Sequence, residues 1–543
     1  MPPARHFAFY LCLALTVLSI AFGFLVSPWF LVVTLVFGVL SAIGIDDLLQ
    51  QRHAVLRNYP VVGHFRYLFE SIRPEMRQYF FESNQDGRPF SREKRSLVYD
   101  RAKNIEGNTP FGTEYDVYGQ DYAWVNHSMV PNKPDHGDLR VTIGGPDCKQ
   151  PYSASLFNIS AMSFGSLSAN AILALNTGAK RGGFAHDTGE GSVSRYHKQG
   201  GGDLIWELGS GYFGCRADNG GFDPEKFEIQ AQDPQIKMIE VKLSQGAKPG
   251  HGGVLSGPKV TPEIAEARGI PVGKECVSPA SHSAFSTPIE LLEFLQQLRT
   301  LSGGKPVGFK FCLGHKWEFM AIVKAMLKTG ITPDFIVVDG AEGGTGAAPV
   351  EFTNRLGTPL RQGLAFVHNT LVGAGLRDDI KVGAGGKLIS AFDIAGALCL
   401  GADWINSARG FMFAVGCIQS QSCHTNKCPT GVATQDPERQ KALVVPDKAE
   451  RVYNFHRNTL KALADFTAAS SLSHPSEFRP EHIFIHEGQR EILPASAAMT
   501  WLKPGALLQE GHAIFGYSLY WNIATPDSFA PTGSVTEAKM ISA

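Results

Sequence analysis

From residue 155 onward, short apolar, β-rich runs alternate with amphipathic helical stretches, and no other feature of the chain constrains its fold so tightly. The runs cover 156–163, 238–243, 307–313, 335–338, 380–382 and 404–406. The helical stretches, 167–180, 289–301, 316–329, 360–374 and 390–400, place apolar residues three and four positions apart. Such alternation implies parallel strands joined by crossover helices. Strands that are apolar nearly throughout and end in Gly or a polar residue predict an α/β fold of the closed (β/α)8 (TIM) barrel kind. In that fold the active site lies at the C-terminal ends of the strands. An open doubly wound sheet should instead carry an early nucleotide fingerprint. The one G-x-G-x-x-G is Gly209-Ser-Gly211-Tyr-Phe-Gly214, and the downstream Asn219-Gly220-Gly221 and Pro224 read as unable to open a helix. There is no Walker A pattern either, so no NAD(P) domain is expected in the chain.

A second feature lies at the N-terminus. Residues 7–45 contain no charge and break once, at Ser27-Pro28, into stretches of 20 residues (7–26) and 17 residues (29–45). An apolar helix of ~17–25 residues crosses a bilayer, whereas the apolar part of a signal peptide runs only ~7–15. Residues 1–46 are therefore read as a transmembrane helical hairpin. Arg5 before it and Arg52, Arg57 and Arg66 after it put both ends in the cytoplasm. The expected location is the inner (cytoplasmic) membrane, with the catalytic domain on the cytoplasmic side. Residues 47–150 form an aromatic-rich connector (Tyr59, Phe65, Tyr67, Phe69, Tyr79, Phe80, Phe81), with helical spacing near 62–82; its aromatics are read as packing on the barrel. The barrel is assigned to 151–440 and a C-terminal extension packing on it to 441–543. Lys+Arg 50 against Asp+Glu 51 argues against a nucleic-acid binder with a globally basic surface. Nine Cys are too sparse for a disulfide scaffold.

Three glycine-rich segments follow apolar strands: Asp339-Gly-Ala-Glu-Gly343-Gly344-Thr345-Gly346, Gly383-Ala-Gly385-Gly386-Lys387 and Ser407-Ala-Arg409-Gly410. Bared backbone N–H groups at the late strand ends of a barrel suit a phosphate-bearing cofactor. Six cysteines are isolated, but Cys417, Cys423 and Cys428 form Cys-x5-Cys-x4-Cys followed by Pro429. Structural zinc usually takes four ligands with shorter Cys spacings; three thiolates followed by Pro suit an iron–sulfur cluster better. Zinc and unliganded thiols stay open on the spacing alone. A three-iron cluster needs only the local cysteines, and a four-iron one would need a distant fourth ligand.

The cysteine loop Cys417-IQSQS-Cys423-HTNK-Cys428-PTGVATQDP resembles the 3Fe-4S loop of the glutamate synthase large subunit. In the same order as in that family's synthase domain come Ala161-MSFGSLS, Thr188-GEG, Val241-KLSQGAKPG, Asp339-GAEGGTGA and Gly385-GK, over roughly residues 100–440. The resemblance implies FMN at the mouth of the barrel and a 3Fe-4S cluster passing electrons to it. The flavin hydride would then reduce 2-iminoglutarate, formed from 2-oxoglutarate and ammonia, to L-glutamate. By the same resemblance the backbone of Ala161, Met162 and Ser163 lies against the flavin ring, and Lys310 stabilises its anionic reduced form. Asp339, Gly343, Gly344, Gly385, Gly386, Lys387, Arg409 and Gly410 are the ribityl and phosphate candidates. Lys242, Gln245 and Lys248 would bind the dicarboxylate, Glu190 would handle protons or ammonium, and Cys417, Cys423 and Cys428 would hold the cluster.

The departures are on the substrate side. The family's long form begins with a glutaminase domain, for which the hundred or so residues ahead of the barrel leave no room. The loop reads Lys248-Pro-Gly-His251 where the long form usually has Glu in place of His, and the stretch after Ser278-Pro279 is short. The expectation is a free-standing, membrane-anchored member of the family. It would use free or partner-delivered ammonia and a separate electron donor, ferredoxin or an NAD(P)H-oxidising partner; the oligomeric state is left open. Two competing readings keep the cofactors: another 2-oxo acid or amine as substrate, or a membrane-tethered electron-transfer subunit.

Overall fold

The computed structural model describes residues 4–120, 122–137, 139–487, 491–509 and 514–534. The chain divides into two compact units, Met1–Arg92 and Glu93–Ala543. In the first, helices α1 (Phe7–Leu25) and α2 (Phe30–Leu49) are joined by the Ser27-Pro28 turn. Small residues let them approach closely: a methyl group on Gly23 would strike Leu31, and one on Gly44 would strike Phe9. Hydroxyl pairs tie them across, Thr16 to Ser41 at 3.1 Å and Thr34 to Ser19 at 2.8 Å. Small residues with polar ties are the usual packing device of helices in lipid, and both helices are long and apolar enough to cross a membrane. Helix α3 (Gly63–Met76) follows, ending in one wider turn, Arg77–Phe81.

The second unit is built on a closed barrel of eight parallel strands: β1 (Phe157–Ile159), β2 (His186–Asp187), β3 (Leu204–Leu208), β4 (Ile236–Lys242), β5 (Val307–Phe311), β6 (Phe335–Asp339), β7 (Lys381–Gly385) and β8 (Trp404–Ser407). The strands neighbour each other in sequence order, and β8 closes on β1. A β-hairpin, Arg140–Ile143 with Tyr152–Ser155, brings Ile143, Tyr152 and Ala154 into one buried cluster with Ile205, Met238, Val337 and Trp404. These are residues from the first halves of the strands, so the hairpin plugs the end of the barrel opposite the expected site.

The crossover helices start where local chemistry caps them. Ser168 Oγ accepts the Ala171 N–H ahead of α4 (Ala169–Gly182), and Thr287 with Glu290 forms a capping box for α6 (Pro288–Leu301). Three more, α7 (Lys316–Thr329), α8 (Leu360–Gly373) and α9 (Ala391–Cys399), follow the 3.6-residue spacing closely. The region after Gly214 corrects the sequence reading. Pro224 does open a helix, α5 (Pro224–Ala231), because Asp223 caps it and proline at the first position forfeits only an N–H that has no partner there. That helix begins ten residues beyond the glycines, so the motif still lacks the strand–turn–helix of a dinucleotide site. A 25-residue helix, α10 (Val445–Ala469), packs on α4 so closely that a Cβ on Gly178 would lie 2.5 Å from Val452 Cγ1.

Candidate functional site

Side chains alternate across a strand, and in this barrel the inward positions carry charge above an apolar floor. Asp187 on β2, Glu207 on β3, Glu240 and Lys242 on β4, Lys310 on β5 and Asp339 on β6 all turn inward. Lys310, 3% exposed, is ringed by three carboxylates: Asp187 at 3.5 Å, Glu240 at 2.8 Å off the hydrogen-bond direction, and Glu207 in close contact. Glu207 reaches on to Lys242 at 3.4 Å, and Lys242 Nζ donates to Glu190 at 2.6 Å. The result is one continuous ion chain, Lys310–Glu207–Lys242–Glu190, running from the interior to the mouth.

Its electrostatics follow from burial and from acids outnumbering bases. Burial pushes Asp187 well above the usual carboxylate range and raises Glu240 too; neighbouring acids add to this and Lys310 offsets only part. Both acids therefore retain protons to higher pH than free carboxyls. Burial disfavours charge on Lys310, but Glu207, Glu240 and Asp187 outweigh it and hold the ammonium firmly protonated. Lys242 behaves likewise, burial being outweighed by Glu190 and Glu207. Burial would raise Glu190, yet Lys242, Arg268 and Lys248 leave it below its ordinary value, so it stays ionised. Lys248 has weaker support: burial pulls it down to about 8.

Glu190, Glu207, Lys242 and Lys248 line a pocket at the C-terminal ends of the strands. Ala161, Met162, Ser163, Glu190, Lys242, Gln245, Lys248, Gly344, Arg409 and Cys423 all face it, with Gly189, Glu207, Thr345, Gly346 and Met412. Two glycines make it possible. Gly189 has φ +63°, and a Cβ there would lie 2.9 Å from Ser163 N; a Cβ on Gly253 would overlap Glu190 Oε1, so glycine lets that loop cover the carboxylate. Lys248 Nζ donates to Ala347 O at 3.1 Å, joining the 245–248 loop to the glycine-rich segment.

The other sequence candidates lie around this pocket rather than on its wall. Lys310 sits in its carboxylate ring. Asp339 Oδ2 accepts the Gly246 N–H at 2.7 Å, fastening the 245–248 loop to β6, and Gly385 is its neighbour on β7. Gly343 closes the turn onto Gly340 O at 2.9 Å. Gly386 and Lys387, both with positive φ, line a separate cleft with Lys94, Arg361 and Asp393. Gly410 is packed against Ser407 and Phe455, where no side chain would fit.

Cys417, Cys423 and Cys428 lie on the loop after β8. Arg409 links this loop to the pocket: Nη2 donates to Thr345 O at 2.6 Å, and Nη1 lies 3.9 Å from Cys423 Sγ. Burial pushes the Cys417 thiol up to about 11, with Arg409 opposing. Burial acts on Cys428 as well, but hydrogen bonds from Ala433, Thr430 and Val432 outweigh it and bring the thiol below its ordinary value. Lys259 is close enough to Cys423 and Cys428 for both to favour its charge, although burial holds it near 8. A tetrahedral zinc with ~2.3 Å bonds gathers its sulfurs within ~3.8 Å. Among the described residues, the group of three ligand atoms within 4.8 Å of one another is Asp187, Glu207 and Glu240, whose centre Lys310 fills; the three sulfurs are spread wider. Backbone N–H groups are aimed at sulfur, Gln419 N–H at Cys417 Sγ at 3.5 Å among them.

Sequence reasoning missed Asp187, Glu207 and Glu240. The signal for two of them was present: a carboxylate inside an otherwise apolar run, Leu204-Ile-Trp-Glu207-Leu and Met238-Ile-Glu240-Val. Acids are almost never fully buried unless paired, so each implied an inward cation.

The fold and the pocket define a parallel (β/α)8 barrel with a charged site at its mouth and a cysteine loop beside it. Residues 143–472 match the family model described as the conserved region in glutamate synthase, and the chain belongs to that family. It is 39% identical over 492 residues to the glutamate synthase large subunit-like protein YerD of Bacillus subtilis, covering 83% of this chain and 93% of that one. It is 35% identical over 300 residues to the archaeal-type glutamate synthase [NADPH] of Thermotoga neapolitana, covering 55% of each chain. The match to the glutamate synthase [NADPH] large chain of B. subtilis, 34% over 341 residues, takes in 62% of this chain and 21% of that one. The chain thus spans nearly all of the first relative, about half of the second and a fifth of the third.

Proposed function

We propose that the protein is a membrane-anchored oxidoreductase of glutamate synthase type, dependent on FMN and a 3Fe-4S cluster. It reduces 2-iminoglutarate, formed from 2-oxoglutarate and ammonia, to L-glutamate with electrons from a separate donor. The observation that carries this reading is the ion chain Lys310–Glu207–Lys242–Glu190, which in a member of this family ends in a pocket also lined by Gln245, Lys248 and Cys423. Bound FMN would supply a hydride, and the cluster would give single electrons a route to it. Ala161, Met162, Ser163, Gly344 and Arg409 are the lining residues that would hold the flavin, and Cys417, Cys423 and Cys428 those that would hold the cluster.

The protein side of the chemistry follows from the charges. Lys248 and Gln245 bind the dicarboxylate, a charge-assisted contact from Lys248 and a neutral one from Gln245. Glu190, held ionised, accepts hydrogen bonds from an ammonium or an iminium and so positions nitrogen in the pocket. Lys242 is fixed as a cation by its two carboxylates and neutralises them. Lys248, whose proton is held more loosely, is the better proton donor to the nascent amine. Lys310, kept charged by three acids, supports negative charge on a reduced ring. Two apolar helices tied by hydroxyl pairs, followed by Arg52, Arg57 and Arg66, support a hairpin with both ends in the cytoplasm.

The test is optical. Enzyme reduced anaerobically is mixed with 2-oxoglutarate, with ammonium, or with both. Rapid reoxidation of the flavin with both and with neither alone is expected; reoxidation by 2-oxoglutarate without ammonium would assign a different reduction.

A further inference from the structure

Helix α3, which follows the two apolar helices within the same compact unit, carries an apolar stripe left exposed by the described residues of that unit. Phe65, Leu68, Phe69, Ile72, Met76 and Phe80 recur at steps of three and four and fall within an arc of ~120° at 100° per residue. All six are exposed, Phe69 at 62% and Phe80 at 73%. Arg66, Arg73 and Arg77 line one flank of this stripe, with exposed Glu70 pairing Arg66 at 3.0 Å. A helix in a globular protein buries such a stripe, and a contiguous exposed apolar face marks a surface meant for another phase or partner.

The height at which α3 starts is set by one buried carboxylate. Asp47 lies in the last turn of α2, where charge first returns to the sequence, and is 1% exposed. Its Oδ2 accepts the Val61 N–H at 2.9 Å, and its Oδ1 lies 2.8 Å from His64 Nε2. Val61 also packs beside Gly44 of α2, its Cγ2 lying 3.0 Å from where a Cβ on that glycine would be. The first turn of α3 is thus fastened to the end of the second apolar helix. If that helix spans a bilayer, its end marks the boundary between acyl chains and headgroups, and the stripe begins there.

We infer that α3 lies along the cytoplasmic surface of the membrane, with the Phe65–Phe80 face in the acyl boundary and its arginines among anionic lipid phosphates. This inference rests on the proposed membrane hairpin and adds a second, lateral contact to it. The chemistry is that of interfacial amphipathic helices: an apolar face with bulky aromatics, flanked by cations whose stems reach past it to the headgroups. Juxtamembrane basic residues gain further from an anionic cytoplasmic leaflet.

The full chain is reconstituted into vesicles of phosphatidylcholine and phosphatidylglycerol, roughly 3:1, containing a phospholipid with a photoactivatable acyl chain. After irradiation, lipid adducts are mapped by mass spectrometry. Adducts are expected in 7–25, in 30–49 and on the apolar face of 63–81. The triple substitution Phe65→Ser, Phe69→Ser, Phe80→Ser, all at exposed positions, should lower the adducts on 63–81 about tenfold and leave those on the two spans unchanged. Adducts on the spans with none on 63–81, or crosslinks joining 63–81 to the barrel or to a second copy, would overturn the inference. Absence of adducts on the spans themselves would refute the membrane hairpin, and the inference with it.

Discussion

Lys310→Met puts the interior charge network to a quantitative test. In the native protein the Lys310 ammonium touches Glu207 and Glu240 and approaches Asp187. At an effective dielectric of ~20, a pair at 2.8 Å is worth about 6 kcal/mol of attraction, set against a desolvation cost of several kcal/mol per ion. Removing one partner of a buried pair usually costs about 3–5 kcal/mol because a charge is left behind. Here Glu207 keeps Lys242 at 3.4 Å, so the acids that lose their one ion-pair partner among the described residues are Asp187 and Glu240, which then must stay protonated. A carboxyl kept neutral in the folded state has a pKa raised above its unfolded value near 4. Its stabilisation is complete below that value and is lost as pH rises through the folded pKa. The variant therefore takes up more protons on folding than the native chain. For one extra proton its deficit shrinks by about 2.7 kcal/mol between pH 7.5 and 5.5. Urea denaturation in mild detergent with excess FMN, followed by the fluorescence of buried Trp206 and Trp404, reads this directly. A large deficit at pH 7.5 that mostly closes at pH 5.5 is expected. An equal deficit at both pH values, or none at either, would refute the charge assignment.

Three further outcomes follow from the site. Cys423→Ser should remove the iron, about three atoms per native chain for a three-iron cluster, and leave the flavin bound, because the loop lies outside the strands; zinc in anaerobically prepared native protein would contradict the cluster. Lys248 titrates near 8, so the KM for 2-oxoglutarate should rise as pH passes about 8 and the cation is lost. A flat KM between pH 7 and 9.5 would take Lys248 out of substrate binding. Deleting residues 1–92, an entire compact unit, should yield a barrel that folds without detergent and still takes up FMN; failure to fold would show that the first unit supports the second.

How much of this was legible in the sequence varies with how local the signal is. Helices α6 to α9 were read almost to the residue, because apolar spacing and caps such as Thr287 and Ser390 act within one turn. Strands β2 and β3 were not foreseen. His186-Asp187 is too short for a period, and Glu207 interrupts the second run with a charge the barrel needs. Pro224 was misread because proline was taken as a helix breaker without regard to Asp223 ahead of it. The glycine loops and the cysteine spacing are local motifs and could be seen. The ring around Lys310 could not: its acids lie 20 to 53 residues apart, and only closure of the barrel turns them toward one another. The aromatics of 59–81 showed helical spacing, but nothing in sequence alone says which phase their face meets.

On the proposed function, the site makes glutamate. Cluster-replete, flavin-loaded protein, reduced chemically or by ferredoxin, is incubated with 2-oxoglutarate and 15N-ammonium, and the product is analysed by mass spectrometry. Glutamate carrying 15N, formed without glutamine and without NADPH, is the predicted result, with loss of about ten- to a hundredfold in kcat/KM for Lys248→Ala, as removal of a charge-assisted contact to the dicarboxylate implies. Fully loaded, reduced protein that yields no labelled glutamate while its flavin is reoxidised by another 2-oxo acid would contradict it.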